Sequence, residues 1–169
     1  MIFVTVGNFT GFPRLANAVA DLKARGKIPD DVLLQVARMT NFTAQGCTVV
    51  PFFAPDDFER LIRDAAVIVC HGGNGTLIQA LRAGRVPVVM PRQRRYGEHI
   101  DDHQMELSRA LAEQGRVVLA MEVNELESAI AAARHRTQVP SPSAVRMLDL
   151  VAREIDDLLA ERGFTQERS

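Results

Sequence analysis

Residues 67–104 read VIVCHGGNGTLIQALRAGRVPVVMPRQRRYGEHIDDHQ, and their order decides the fold. A short apolar run, Val67 to Cys70, ends in a histidine and a glycine turn. A helix pattern follows from Asn74 to Ala83 and stops at Gly84. A second apolar run, Val86 to Met90, has the unbroken hydrophobic character of a parallel strand covered on both faces. It stops at Pro91, and a polar loop leads to Asp101-Asp102-His103-Gln104. Strand, turn, helix, strand, loop in that order places two loops side by side at one edge of a parallel sheet, where α/β proteins bind ligands.

Outward from this stretch the same alternation continues. Ile2 to Val6 is a buried strand closed by Gly7-Asn8, and a helix runs from Phe12 to Arg25 with Leu15, Val19 and Leu22 on one face. Gly26 and Pro29 end it. Val32 to Ala37 and Cys47 to Phe52 are further strands, and Pro55-Asp56-Asp57 starts a short helix carrying Phe58, Leu61 and Ile62. A helix from about Asp101 to Gln114, a strand from Arg116 to Ala120 and a helix from Asn124 to Ala133 complete the series. Pro140 and Pro142 mark a break at 139–143, after which an amphipathic helix spans about Ala144 to Glu161. The expected fold is α/β: a Rossmann-like parallel sheet with right-handed crossovers and helices on both faces. Residues 1–138 form that domain, and 139–169 are a linker and terminal helix that packs on the sheet or on a partner.

A chain of 169 residues suits one domain that buries roughly 70% of its unfolded surface. Net charge is −1, with 20 basic and 21 acidic residues, so nothing global favours nucleic acid or an anionic membrane. Arg92, Arg94 and Arg95 form a local basic cluster, either a solvated loop or an anion or partner contact. Cys47 and Cys70 fall at strand positions and read as small reduced core residues. No apolar stretch approaches the roughly 18 to 20 residues that cross a bilayer, and no secretory leader is visible. The expected location is cytoplasmic.

The turn His71-Gly72-Gly73-Asn74-Gly75-Thr76 sits between a strand and a helix. Glycines let the backbone turn sharply and approach a ligand, and the helix amino terminus offers free N–H groups and a positive dipole end to an anion. A plain βα turn would also use glycine but needs no imidazole at its lip. Competing phosphate motifs fit poorly: Ile78 stands near where a dinucleotide fingerprint needs its third glycine, and no glycine-lysine-serine/threonine element exists. Gly7 and Asn8 belong to a second strand-to-helix turn that can face the same ligand. Gln79, about one helical turn beyond Gly75, either reaches back to a ribose or faces solvent. One of Asp101 and Asp102 is expected to cap its helix, and Gln104 carries the donor and acceptor that a pair of sugar hydroxyls needs. Glu98, His99, Asp102 and His103 permit a metal reading only with further ligands and a second shell, and no metal is expected.

These residues resemble the C-terminal, nucleotide-sugar-binding domain of family 28 glycosyltransferases, the donor half of the GT-B fold. The resemblance runs from Ile2-Phe3-Val4-Thr5-Val6-Gly7 through the HGGNGT turn to the DDHQ segment, about the first 120 residues. Met90 to His99 followed by Asp102-His103-Gln104 looks especially like the small soluble subunits of two-component glycosyltransferases of bacterial capsule and exopolysaccharide synthesis. A eukaryotic subunit acting on dolichol-linked sugar is a more distant relative. The resemblance implies that the turn with Gly7 and Asn8 holds a UDP diphosphate. It implies that Gln104, with Asp102 or His103, contacts the sugar, and Glu98 and His99 are counted beside them as donor-binding residues. A full-length peptidoglycan relative has a ribose-binding glutamate where this chain has Gln79, a weaker uncharged acceptor. His71 is the candidate catalytic residue, unless the base comes from a partner. That partner is a membrane-anchored acceptor-binding subunit carrying a lipid-linked acceptor, through which the chain sits at the inner face of the membrane. No cofactor is implied beyond the UDP-sugar substrate. A non-catalytic UDP-sugar-binding or enhancer subunit is the alternative, and self-association stays open.

Overall fold

The computed structural model describes residues 1–100 and 102–136. The strands are β1 (Ile2–Thr5), β2 (Val32–Gln35), β3 (Cys47–Val50), β4 (Val67–Cys70), β5 (Val88–Val89) and β6 (Val118–Leu119). The helices are α1 (Pro13–Ala24), α2 (Pro55–Asp64), α3 (Asn74–Arg82), α4 (His103–Glu113) and α5 (Leu126–Ala133), with 3-10 turns at Arg94–Tyr96 and Val123–Glu125. The break at 139–143 and the expected terminal helix lie outside the described residues.

The six strands pair in the order β3-β2-β1-β4-β5-β6, all parallel. From β1 the chain first builds outward through β2 and β3, then crosses to the other side of β1 and continues through β4 to β6. The reversal leaves a crevice between the carboxyl ends of β1 and β4, the switch point at which open parallel sheets bind ligands.

Alternating side chains feed two cores. Ile2, Val4, Val32, Leu34, Val67, Val69 and Val88 pack with Leu15, Val19 and Leu22 of α1 and with Leu126 and Ile130 of α5. On the opposite face Phe3 and Ile68 meet Ile62 of α2 and Ala80 of α3, while Cys70 and Val89 meet Leu77 and Leu81 of α3 and Leu111 of α4. Phe3 is fully buried, with the Phe53 and Phe58 rings edge-on at 5.8 and 5.4 Å. Both layers anchor the elements that flank the switch point.

The strands are shorter than the apolar runs suggest, each for a backbone reason. Pro51 has no N–H and closes β3, so it ends at Val50 and not at Phe52. β2 ends at Gln35, and Ala37 turns away with φ 51°, a left-handed value rare for a residue with a Cβ. Pro87 delays β5 to Val88. α4 starts at His103, two residues later than expected. Asp102 occupies its N-cap position but makes no side-chain cap bond; its carboxylate instead accepts the Arg94 N–H at 3.0 Å. Cys70 is buried, Cys47 is half-buried, and both are free thiols. No helix among the described residues is long and apolar enough to cross a membrane.

Candidate functional site at the switch point

The loop after β1 is set by a buried polar relay. Thr5 donates its hydroxyl to Gln35 Oε1 at 2.5 Å, the Gln35 amide donates to Asn8 Oδ1 at 2.8 Å, and the Gly7 N–H reaches Thr5 Oγ1 at 3.1 Å. Both Thr5 and Gln35 are fully buried, so their polar groups require one another. Gly7 adopts φ 85°, and a Cβ there would stand 2.6 Å from His71 Cε1. Gly73 closes on the same edge of the ring, where a Cβ would lie 2.2 Å from Nε2. The glycines therefore serve the imidazole as well as the turn: two backbone segments pack against His71 too closely for any side chain.

His71 is only 8% exposed, and its Nδ1 finds no hydrogen-bond partner. Burial, together with the Arg92 guanidinium and His99, pushes its pKa down to about 4; the Thr5 carbonyl opposes the shift without reversing it. The imidazole is thus neutral at physiological pH. Between pH 6.5, the ordinary value, and about 4, the unfolded chain binds a proton at this position that the folded chain refuses. Stability is therefore lost as pH falls through that window, by about 3 kcal/mol from this residue. In denaturant titrations the stability difference between wild type and His71→Gln should shrink by that amount between pH 7 and pH 4. A difference independent of pH would show that His71 is not held neutral.

A cleft of about 1200 Å³ opens above this floor. Gly7, Asn8, His71, Gly73, Asn74, Gly75 and Thr76 line it where the turns after β1 and β4 meet. Gly73 is the N-cap of α3 and brings no side chain to it, so the first-turn N–H groups, which an α-helix leaves without internal partners, are not screened by a capping group. Gln79 is exposed and lines the cleft, with Phe53, Pro55, Phe58 and Arg82 beyond it. The segments after β5 add Arg92, Glu98, His99, Ile100 and Gln104 to the lining. Three lining side chains hold a buried polar atom without a partner: His71 Nδ1, Arg92 Nε and Gln104 Oε1. Buried polar groups in folded proteins are almost always satisfied, so three at one cleft point to a polar ligand.

Gly72, Asp102 and His103 do not line the cleft. Gly72 lies beneath the turn at φ 84°, against Ser108, Val89 and Pro91, and its role is packing. Asp102 is taken up by the Arg94 amide. His103 is exposed on the first turn of α4. Among the described residues no three His, Cys, Asp or Glu side chains gather as a metal site.

The wall between β5 and α4 is clamped to α1. Arg14 binds Glu98 through Nε to Oε1 at 2.7 Å and Nη2 to Oε2 at 2.9 Å, and donates to the carbonyls of Met121 at 3.0 Å and Pro91 at 2.8 Å. The Gln93 N–H also reaches Glu98, at 3.0 Å. Glu98 lines the cleft, but its charge is already spent on Arg14. Breaking one half of such a mostly buried pair strands the other, so Arg14→Ala should destabilise the fold by roughly 2 to 4 kcal/mol. Arg14→Lys should recover less than half of the loss, since an ammonium cannot fork. Chemical denaturation reads both; an Arg14→Lys protein as stable as wild type would refute the bidentate clamp.

Of the basic cluster, Arg94 and Arg95 are exposed, and Arg95 pairs with Glu122 and lies over the Tyr96 ring. Arg92 departs from the solvated-loop reading. It is 6% exposed and donates to the carbonyls of Val6 and Thr10 at 2.9 and 2.7 Å.

Residues 1–159 match the model of the glycosyltransferase family 28 C-terminal domain. The chain belongs to that family. Over 104 residues it is 29% identical to the UDP-N-acetylglucosamine transferase subunit ALG13 of Eremothecium gossypii, covering 60% of this chain and 49% of that protein. A similar match, 28% over 109 residues, joins it to the ALG13 subunit of Cryptococcus neoformans, covering 64% of this chain and 45% of that protein. The chain spans about half the length of the curated relatives it matches. Among solved structures, the glycotransferase of kitacinnamycin superposes with a TM-score of 0.61 at 19% identity, over 92% of this chain and 39% of that one. These relations and the sheet order make the fold that of the C-terminal half of a GT-B glycosyltransferase.

For a family 28 domain, the glycine turn was readable from sequence, whereas the scaffold around it was not. Thr5 and Gln35 gave a signal, as polar residues inside or ending otherwise apolar strands. The Arg14–Glu98 pair bridges 84 positions and has no local signature.

Proposed function

We propose that this family 28 domain is the donor-binding, catalytic subunit of an inverting, metal-independent glycosyltransferase. It moves a hexose or hexuronic acid from a UDP-sugar to a lipid-linked acceptor, in capsule or exopolysaccharide synthesis. The observation that carries the reading is the switch-point cleft: the bare amino terminus of α3 opens beside a buried histidine, in a cleft that an unsatisfied Gln104 also lines.

The acceptor hydroxyl loses its proton to a base as its oxygen attacks the anomeric carbon. The bond from that carbon to the diphosphate oxygen breaks, and UDP leaves on the opposite face. Charge develops on the diphosphate, where the α3 dipole and first-turn N–H groups lower the barrier in place of a metal. His71, neutral and buried, has one N–H to give, which the diphosphate would take over from the Thr5 carbonyl. A base whose conjugate acid has a pKa of about 4 is too weak to take a hydroxyl proton well. The base then falls to the acceptor side, on a membrane-anchored partner. Phe9 and Ile100, 73% and 87% exposed at the cleft rim, are the apolar surface such a partner would cover.

Reconstitution with the acceptor-binding subunit tests this. Sugar transfer should need both chains and should invert the anomeric centre. A second reading, a UDP-sugar-binding enhancer, draws support from His71 Nδ1 lacking a carboxylate behind it and from neutral Gln79 on the nucleotide side. Full transfer by the partner alone, merely raised by this chain, would favour the enhancer.

A further inference from the structure

We propose that Arg92 is the fixed countercharge of the cleft, a guanidinium held in the wall by backbone carbonyls so that its charge is left for the diphosphate of the bound donor. The proposal rests on the donor reading above and assigns the group that completes it.

Arg92 Nη2 donates to the carbonyls of Val6 at 2.9 Å, Thr10 at 2.7 Å and Gly11 at 3.5 Å, and its guanidinium lies 5.4 Å from the Phe12 ring centroid. These partners orient the cation but neutralise none of its charge. The carboxylate that bears on it electrostatically is Glu98, which Arg14 already binds with both oxygens. Among the described residues Arg92 thus has no acid of its own, although it is 6% exposed and its Nε is buried and unpartnered. An isolated buried charge is costly, and arginine cannot shed its proton to escape the cost. Arg14, whose side chain is 13% exposed, shows the usual solution in this same chain, a paired carboxylate on Glu98. Arg92 lacks one at the place where the chain opens a cleft.

Its position agrees with the role. Arg92 lines the cleft together with Gly73, Asn74 and Thr76, so its charge and the amino terminus of α3 act on one space. It also bears directly on His71, whose protonation its charge opposes. The same carbonyl bonds pin the loop after β1 to the wall after β5, which keeps the cation from swinging out to solvent. A purely scaffolding residue would need the bonds and not the charge, and the two roles separate in substitution.

The test uses the full chain with uridine, UDP and inorganic pyrophosphate as probes, and Arg92→Lys, Arg92→Gln and Arg92→Met as variants. Wild type should bind UDP at least about tenfold more tightly than uridine, and pyrophosphate should raise its melting temperature. Arg92→Gln and Arg92→Met should lower the UDP-to-uridine ratio by at least about threefold, leaving what the α3 amino terminus supplies, and should shrink the pyrophosphate shift. Arg92→Lys keeps the charge without the fork, and should keep most of the ratio. Should Arg92→Met fail to fold, the Lys and Gln variants carry the comparison. A wild-type ratio in Arg92→Gln, or an Arg92→Lys ratio as low as that of Arg92→Gln, overturns the proposal and leaves the donor reading standing. Pyrophosphate binding that needs Arg92, without any UDP binding, supports the countercharge and sinks the donor reading. Binding of none of the probes sinks both.

Discussion

Gly73→Val is expected to lower UDP affinity by about tenfold to a hundredfold, the equivalent of the roughly 1 to 3 kcal/mol that overpacking costs. The cause is steric, not conformational: Gly73 has φ −70° and ψ 137°, which any residue adopts. A Cβ there would meet His71 Nε2 at 2.2 Å and Cε1 at 2.8 Å. Gly7 closes on the same edge of the ring, where a Cβ would stand 2.6 Å from Cε1, so the Nε2 and Cε1 edge is already tightly packed. The strain is expected to shift the N-cap of α3, whose first-turn N–H groups have no capping side chain. Gly75→Ala is the control, because a Cβ at Gly75 meets nothing within 4 Å. It should keep the fold stable, and a destabilisation equal to that of Gly73→Val would contradict the steric account.

His71→Ala is expected to cut turnover of the assembled enzyme at least about tenfold, the loss typical of removing one donor to developing charge. His71→Asn, which keeps a donor of similar reach, should recover part of it. The pH profile carries the finer test. Burial holds His71 neutral down to about pH 4, so it should add no inflection to the turnover profile between pH 5 and 8. An inflection near pH 6.5 that disappears in His71→Ala would mean that the imidazole titrates in the working range and acts as a base after all. Unchanged turnover in His71→Ala would remove the residue from the mechanism.

The strand-helix alternation and the glycine turn were legible because they rest on local patterns: apolar runs of strand length, helical spacing between them, and glycines at the joints. The stretch from His71 to Thr76 was legible as a strand-to-helix turn, because one loop carries it. Contacts between distant segments were not legible. Glu98, counted as a donor-binding residue, lines the cleft, but Arg14, 84 residues away, occupies both its oxygens. Asp102 looked like a helix cap or sugar ligand, but its side chain turns to the Arg94 amide of its own loop. The run holding Arg92, Arg94 and Arg95 left open a solvated loop or an anion or partner contact, and only the bonds to the β1 loop show that one of the three is buried. Strand ends were overextended for a simpler reason. Pro51 and Pro87 are apolar enough to prolong a hydrophobic run, yet neither offers the N–H that a ladder needs.

Calorimetric titration of the chain with UDP, beside ADP and NAD as controls, tests the central claim most directly. The account predicts saturable binding of UDP in preference to both controls, lost in Gly73→Val. Equal affinity for all three nucleotides, or UDP binding that survives Gly73→Val unchanged, would contradict a donor site at the switch point.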